Sequence, residues 1–554
     1  MSTTASPAVA EAAAPEMTKR QVLEALSGLL LGMFVALLAS TVVSSSLPRI
    51  ISDLHGNQAA YTWVVTATLL ATTVSTPIWG KLADLTNRKL LIQLSLVIFV
   101  LGSALAGFAQ DTNTLILFRV LQGLGAGGLT SLVQVVLADI ISPRERGKYM
   151  GLLGAVMAVA TVGGPLLGGV VTDGFGWRWN FYIAVPFAVV AIILLQKTLH
   201  LPKISRKVTI DYVGAVLIAA GVSLLLIWVT LAGNNFDWAS WETVLMVGGS
   251  VLLLVAAVIV ELKVKEPIIP MNLFRNRTFT LSVVASISVG VAMFGTSVFL
   301  SQYMQLARGK TPTESGLLTI PMIAGVLVAS TVIGQIISRT GKWKRYMVLG
   351  SVLLTVGISL MGTLRFDTSF VLVSIYMFIM GSGVGMVMQN LVLVVQNAVS
   401  PRQLGVASAS VAFFRSLGGT IGVSVMGAVL GTQVMQFIKD GLAGLGSAGA
   451  AAGSALSGGS IPNVAALPEP LRDIVEAAYG HAVGDIFLLA IPLAVITIIA
   501  IAFLPARKLG EKTAVEQLSG TGEGVADTLV DVTAGEVAAT GVVDTQRAAG
   551  GRHR

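Results

Sequence analysis

Arg119 is the residue whose placement most constrains the chemistry of this 554-residue chain. It lies inside an apolar run, three positions before Gln122, so the two side chains share a helix face. A guanidinium at that depth costs a few kcal/mol without partners, which predicts that this face meets a wet interior and not lipid. The first apolar run carries a ladder of hydroxyls, Ser40, Thr41, Ser44 and Ser45, that would suit the same interior. Trp63, Thr68, Met293, Phe294 and Gln389 are further candidate lining residues, because adaptable Met and aromatic surfaces accept varied ligands. The implied chemistry is recognition by hydrogen bonds and positive charge, without bond making. With no embedded carboxylate beside Arg119, such a chamber favours neutral or anionic amphiphiles over organic dications.

A second set of residues can do mechanical work. In Gly80-Lys-Leu-Ala-Asp84-Leu-Thr-Asn-Arg88-Lys89, a carboxylate stands among cations and can also cap the N-terminus of a neighbouring helix, which would hold one face of a bundle shut. In Gly164-Pro165-Leu-Leu-Gly168-Gly169, proline permits a bend and the small residues permit close helix contact. Proton exchange calls for a desolvated carboxyl group, whose pKa rises toward neutrality. None of the 28 acidic residues falls in the middle of an apolar run, which leaves Asp139 and Asp53 as proton-coupling candidates. With no cysteine and four scattered histidines, no metal set is legible, and no phosphate-cradling loop, dinucleotide fingerprint or nucleophile triad is present. No catalytic residue or cofactor is therefore assigned, and an enzyme is not expected.

The elements that must position these residues are transmembrane helices. The chain is 54% hydrophobic and 12% charged, with a mean hydropathy of +0.82, about half the charge of an ordinary soluble domain. Runs of about 20 apolar residues recur about fourteen times, the first near 24–44 and the last near 485–505. Lys and Arg crowd alternate connections, among them Lys81, Arg88, Lys89, Arg144, Arg146 and Lys148, which places both termini in the cytoplasm by the positive-inside rule. That pattern accounts for the net charge of +8 through lipid orientation, and nucleic acid is not expected as a partner. The first run is too long for a cleaved signal and is read as a retained helix.

The chain is also written twice. Residues 119–147 align without a gap on 377–405, a displacement of 258 that keeps Gly123/Gly381, Gly125/Gly383, Gly127/Gly385 and the two Ser-Pro-Arg turns at 142–144 and 400–402 in register. A weaker echo, Gly80 to Lys89 against Gly334 to Arg345, is displaced by 254. Duplication in one orientation is typical of secondary transporters. The expected architecture is all-α, two six-helix bundles in parallel pseudo-repeat with an inserted pair. A disordered tail over 1–20 precedes the first bundle at 21–205. The inserted helices seven and eight occupy 206–265, the second bundle 266–510 with an outer loop at 433–483, and a disordered tail 511–554. A short surface helix is expected at PLRDIVEAAYGHAV in that loop.

These residues resemble the fourteen-helix drug:proton antiporter branch of the major facilitator superfamily. The resemblance rests on Gly80-x-Leu82-x-Asp84-x-x-Asn87-Arg88-Lys89, on Arg119-x-x-Gln122-Gly123-x-Gly125 and on Gly164-Pro165-Leu166-Leu167-Gly168-Gly169, in that order. It runs from about residue 25 to 506. It implies a gating role for the first motif, export and outer sealing for the third, and an exporter of amphipathic small molecules such as drugs and antibiotics, monomeric in the cytoplasmic membrane and driven by protons. Where the family has an acid in span one, this chain has Ala39, which puts the usual proton carrier in doubt. A dedicated exporter of one lipid or secondary metabolite, an uptake permease and a non-transporting receptor remain open alternatives at this point.

Overall fold

The computed structural model describes residues 19–54, 58–199, 211–232, 236–264, 266–310, 312–443, 467–469 and 471–510. The expected terminal tails and most of the low-complexity outer loop lie outside those residues. Within them the fold is helical: α1 Lys19–Asp53, α2 Gln58–Leu85, α3 Arg88–Gly107, α4 Thr112–Ile140, α5 Pro143–Phe175, α6 Trp179–Tyr182, α7 Ala184–Thr198, α8 Tyr212–Leu231, α9 Trp241–Lys263, α10 Arg277–Gln302, α11 Pro312–Leu318, α12 Ile320–Thr340, α13 Lys344–Met361, α14 Phe370–Gln396, α15 Leu404–Ala443 and α16 Leu471–Ala502. Among the described residues, twelve helical spans, one formed by α6 with α7 and one by α11 with α12, are long and apolar enough to cross a membrane. α2 and α5, of 28 and 33 residues, pack against these spans.

Helix starts follow local chemistry. Asn87 accepts hydrogen bonds from Lys89 N and Leu90 N to begin α3, and Asp111 accepts from Thr114 N to begin α4. Pro143 occupies the first turn of α5, where its missing N–H costs nothing. α10 ends in a π-helical turn over Tyr303–Ala307, fastened by the Tyr303 hydroxyl donating to Arg365 O at 2.8 Å.

The repeat seen in the sequence is a repeat in space. A Cβ added to Gly123 would strike Thr68 O of α2, and one added to Gly381 would strike Met322 O of α12; Gly127 and Gly385 stand in the same relation to Thr72 O and Val326 O. These pairs reproduce both displacements, 258 between α4 and α14 and 254 between α2 and α12. Small residues let the helix backbones touch, which is how association is achieved where lipid removes the hydrophobic drive. The two Ser-Pro-Arg turns sit at one end of the molecule, since Pro143 and Asn397 both approach Gly510. The halves are therefore parallel copies, not inverted ones. They meet where α2 packs on α15 and, symmetrically, α12 packs on α5. The inserted α8 and α9 pack on one another, and α8 reaches both α2 and α15.

One expectation is corrected. PLRDIVEAAYGHAV does not form a separate surface helix; from Leu471 it is the first part of α16, which runs unbroken to Ala502. Val475, Ala478 and Ala482 are buried in the second-half core, so the apolar stripe taken for a membrane-surface face is a packing face.

Candidate functional site

Two polar centres emerge, one at the end of the molecule that carries the Ser-Pro-Arg turns, called the basic end, and one within the first half. At the basic end, the Asp84 side chain, 5% exposed, accepts hydrogen bonds from Gly405 N at 2.8 Å and Val406 N at 2.9 Å. Its carboxylate thus caps α15 across the boundary between halves, where unsatisfied N–H groups and the helix dipole favour negative charge. Gly80 makes room for this: a Cβ there would collide with Ala409 and approach Gly405 O at 2.9 Å. Arg88 Nη1 donates to Asp139 Oδ1, Nη2 lies 3.4 Å from Asp84 Oδ1, and Nε donates to Ala83 O at 2.8 Å. Asp84, Arg88 and Asp139 therefore form one buried chain of charge. Lys89 stands apart, donating from Nζ to Gln196 O.

A residue that the sequence offered only as orienting charge completes this end. Arg146, 1% exposed, donates from Nη1 to Gln396 Oε1 at 2.5 Å and from Nη2 to Ala138 O at 3.0 Å. Ala138 and Gln396 are the same position in the two repeats, so Arg146 ties the halves together beside their pseudo-symmetry axis. Gln396 Nε2 also donates to Gln134 O and Ser408 Oγ. The available signal was the register itself: 138 and 396 differ by 258, and the polar member of that pair lies next to Asn397, the counterpart of Asp139.

The second centre surrounds Arg119. The guanidinium, 3% exposed, donates from Nη1 to Gln122 Oε1 at 2.7 Å and from Nε to Val64 O at 3.3 Å. Thr68 Oγ1 shares the Val64 carbonyl at 3.4 Å. Gln122 Nε2 is buried and makes no hydrogen bond. Trp63, next to Val64 in α2, is half-buried. Among the described residues, no carboxylate forms an ion pair with Arg119, so its charge is held by neutral oxygens.

Other expected lining residues are used elsewhere. Thr41 Oγ1 donates to Ala160 O at 3.0 Å, and a Cβ on Gly164 would run into it, so Thr41 and Gly164 sit at the seam between α1 and α5. That hydrogen bond, donated by the Thr41 hydroxyl, joins the two helices. Farther along, Ser46 Oγ joins Gly168 O, Thr172 Oγ1 and Asn180 Nδ2. Ser40 is exposed, while the side chains of Ser44, Ser45, Pro165 and Gly169 lie outside the described residues. Phe294 packs against Gly419 of α15, Met293 is half-buried against the second-half core and Gln389 is buried in α14. Asp53 is exposed at the last residue of α1. Two further acids, Asp211, 7% exposed, and Glu261, 3% exposed, are buried in the inserted pair.

The Major Facilitator Superfamily model matches residues 29–423, well over half of the chain. The chain belongs to the major facilitator superfamily. Membership makes it a transporter and not an enzyme. It is 36% identical over 427 residues to the "Multidrug transporter protein MdtP" of Bacillus subtilis (strain 168), covering 77% of this chain and 78% of that one. It is 31% identical over 484 residues to "Multidrug resistance protein 3" of the same organism, covering 86% and 94%. In three dimensions it is similar to the proton:xylose symporter XylE, with a TM-score of 0.56 at 14% identity, over 91% of this chain and 99% of that one. That likeness speaks to the fold of this superfamily transporter and to nothing finer.

Proposed function

We propose that this transporter is an efflux pump for amphipathic small molecules of neutral or anionic character, driven by the proton gradient and working by alternating access as a monomer in the cytoplasmic membrane. Residues 21–205 and 266–510 act as the two moving halves and 206–265 as a pair inserted between them. The basic end faces the cytoplasm by the distribution of Lys and Arg, with both termini there. In the state described, that end is shut by Asp84 on α15 and by Arg146 on Gln396. Export is supported by the likeness to multidrug transporters, and the polar closure agrees with it, because hydrogen bonds between halves can break and re-form during a cycle.

The observation that carries the substrate class is the Arg119 guanidinium held by Val64 O and Gln122 alone. A lipophilic anion entering beside it gains an opposite charge and the unused Gln122 amide donor; a cation gains neither. Protons drive the cycle through the buried carboxyl groups at the basic end, with Asp139 paired to Arg88 as the first-half candidate. The experiment is dye flux in proteoliposomes with pH and voltage gradients imposed separately. Anionic dye extruded against its gradient under an imposed pH difference is the expected result; exclusive movement of ethidium-type cations, or inward movement only, overturns the reading.

A further inference from the structure

The inserted helices bring together two acids that are fifty positions apart. Asp211 Oδ1 caps α8 by accepting from Gly214 N at 2.8 Å, while its Oδ2 is buried and accepts no hydrogen bond. Glu261 Oε2 accepts from Ile269 N at 3.2 Å, with the Ile268 backbone alongside, while its Oε1 is also buried without a hydrogen bond. The two unused oxygens converge over Gly214, where one added Cβ would meet both. Glu261 in turn borders a cavity of about 420 Å³ lined also by Lys81, Asp84, Glu266, Met271 and Gln403. That cavity touches the first half, the inserted pair and the start of α15 at once. On its wall Lys81 Nζ donates to Glu266 Oε2 at 2.7 Å, so the nearest cation is already engaged, one helical turn from the Asp84 latch.

Two ionised oxygens that face each other away from water repel, and a single proton placed between them turns the repulsion into a charge-assisted O–H···O hydrogen bond. We propose that Asp211 and Glu261 together hold one exchangeable proton while the latch at Asp84 is closed, making the inserted helix pair a proton-responsive brace for the gate. The charged groups near the pair are Lys81 on α2, which acts on Glu261, and Asp84 on α2 and Glu266 on the connector after α9, which line the same cavity as Glu261; Lys263 and Arg275 are exposed. The cavity supplies the route by which the proton leaves once the latch opens. On losing it, the two carboxylates repel across Gly214 and loosen α8 from α9 beside the latch. The proposal concerns proton binding at this site and rests on the export reading only for the direction in which the coupled solute moves.

The test uses purified full-length protein. Parent protein is expected to show the infrared carbonyl stretch of a protonated carboxylic acid at pH values where exposed carboxyl groups are ionised, with the band reduced in Glu261→Gln and again in Asp211→Asn. The natural absence of cysteine allows a single probe at Gln403→Cys to be labelled with a maleimide in detergent. Its labelling rate, divided by that of a small reference thiol at the same pH to remove the titration of the thiol itself, is expected to rise severalfold as pH increases through the loss of that band, and this ratio is expected to stay low and flat in the double variant Asp211→Asn/Glu261→Gln, whose amides hydrogen-bond without a proton. An infrared band indifferent to both substitutions, a double variant whose labelling follows the parent's pH profile, or labelling set by sodium concentration instead of pH overturns the proposal. Band and labelling profile intact in protein that moves no solute would leave the pair standing and sink the export reading instead.

Discussion

Asp84 and Val406 are 322 positions apart, yet the carboxylate of the first accepts a 2.9 Å hydrogen bond from the backbone N–H of the second. Around that contact the whole basic end is organised: Gly80 permits the approach, Arg88 holds the carboxylate from behind, and Arg146 makes a second tie through Gln396. A charged cap on a helix terminus is stable enough to define a closed state and weak enough to be lost in a transport cycle.

The first prediction concerns that cap. Asp84→Asn keeps the shape but removes the charge that the N-terminus of α15 favours, a loss of about 1 kcal/mol or somewhat more. The closed state is expected to lose roughly tenfold in population, since about 1.4 kcal/mol corresponds to that factor. Faster maleimide labelling of a cysteine placed at Gln403 reads this directly; unchanged labelling refutes it.

Arg88 and Asp139 are a buried pair, each 6% exposed or less. Removing Asp139 alone leaves a guanidinium short of its carboxylate, and Asp139→Ala is expected to destabilise the protein by about 3–5 kcal/mol. Arg88→Met/Asp139→Ala should recover much of that loss, because the expense lies in the unpaired charge. A thermal-unfolding cycle of the two single variants and the double one measures the coupling, and simple additivity would show the pair to be inert.

Glycine positions separate packing from gating. Gly381→Ala forces a Cβ against Met322 O, and Gly127→Ala against Ser75 and Thr72 O, so each is expected to cost about 1–3 kcal/mol. Gly163 and Gly174 have open space where a Cβ would go, and alanine there is expected to leave the melting temperature unchanged. Melting curves of the four variants in one detergent decide the matter.

Arg119 is the specificity prediction. Arg119→Gln retains hydrogen bonding and loses the charge, so transport of an anionic dye is expected to fall tenfold or more while that of a neutral dye changes little; a charge-assisted hydrogen bond of about 2 kcal/mol sets that scale. Arg119→Lys, with a point charge in place of a fork, should recover only part of the anion flux because it cannot reach Gln122 and Val64 O in the same geometry. Equal losses for both dyes would assign Arg119 to structure alone.

Much of the molecule was readable in advance because lipid enforces simple rules: a membrane-spanning stretch must be apolar and about 20 residues long, and charge on the connections reports orientation. The glycine register at 123/381 and 127/385 was visible as letters and returned as backbone contacts, since a position where two helices touch tolerates almost nothing larger. PLRDIVEAAYGHAV misled because an amphipathic stripe looks the same whether it lies on a membrane or against a core.

By itself, then, the sequence determined the all-helical membrane class, the parallel duplication and the cation buried without a matching acid in span one. The tertiary structure alone decided partnership: that Thr41 spends its hydroxyl on Ala160 O, that Arg146 reaches Gln396 across 250 positions, and that Asp211 and Glu261 confront each other over Gly214. The physical reason is range. Hydropathy and periodicity are properties of contiguous residues, whereas a hydrogen bond or a shared proton depends on ångström-scale proximity between segments whose separation along the chain carries no trace of it.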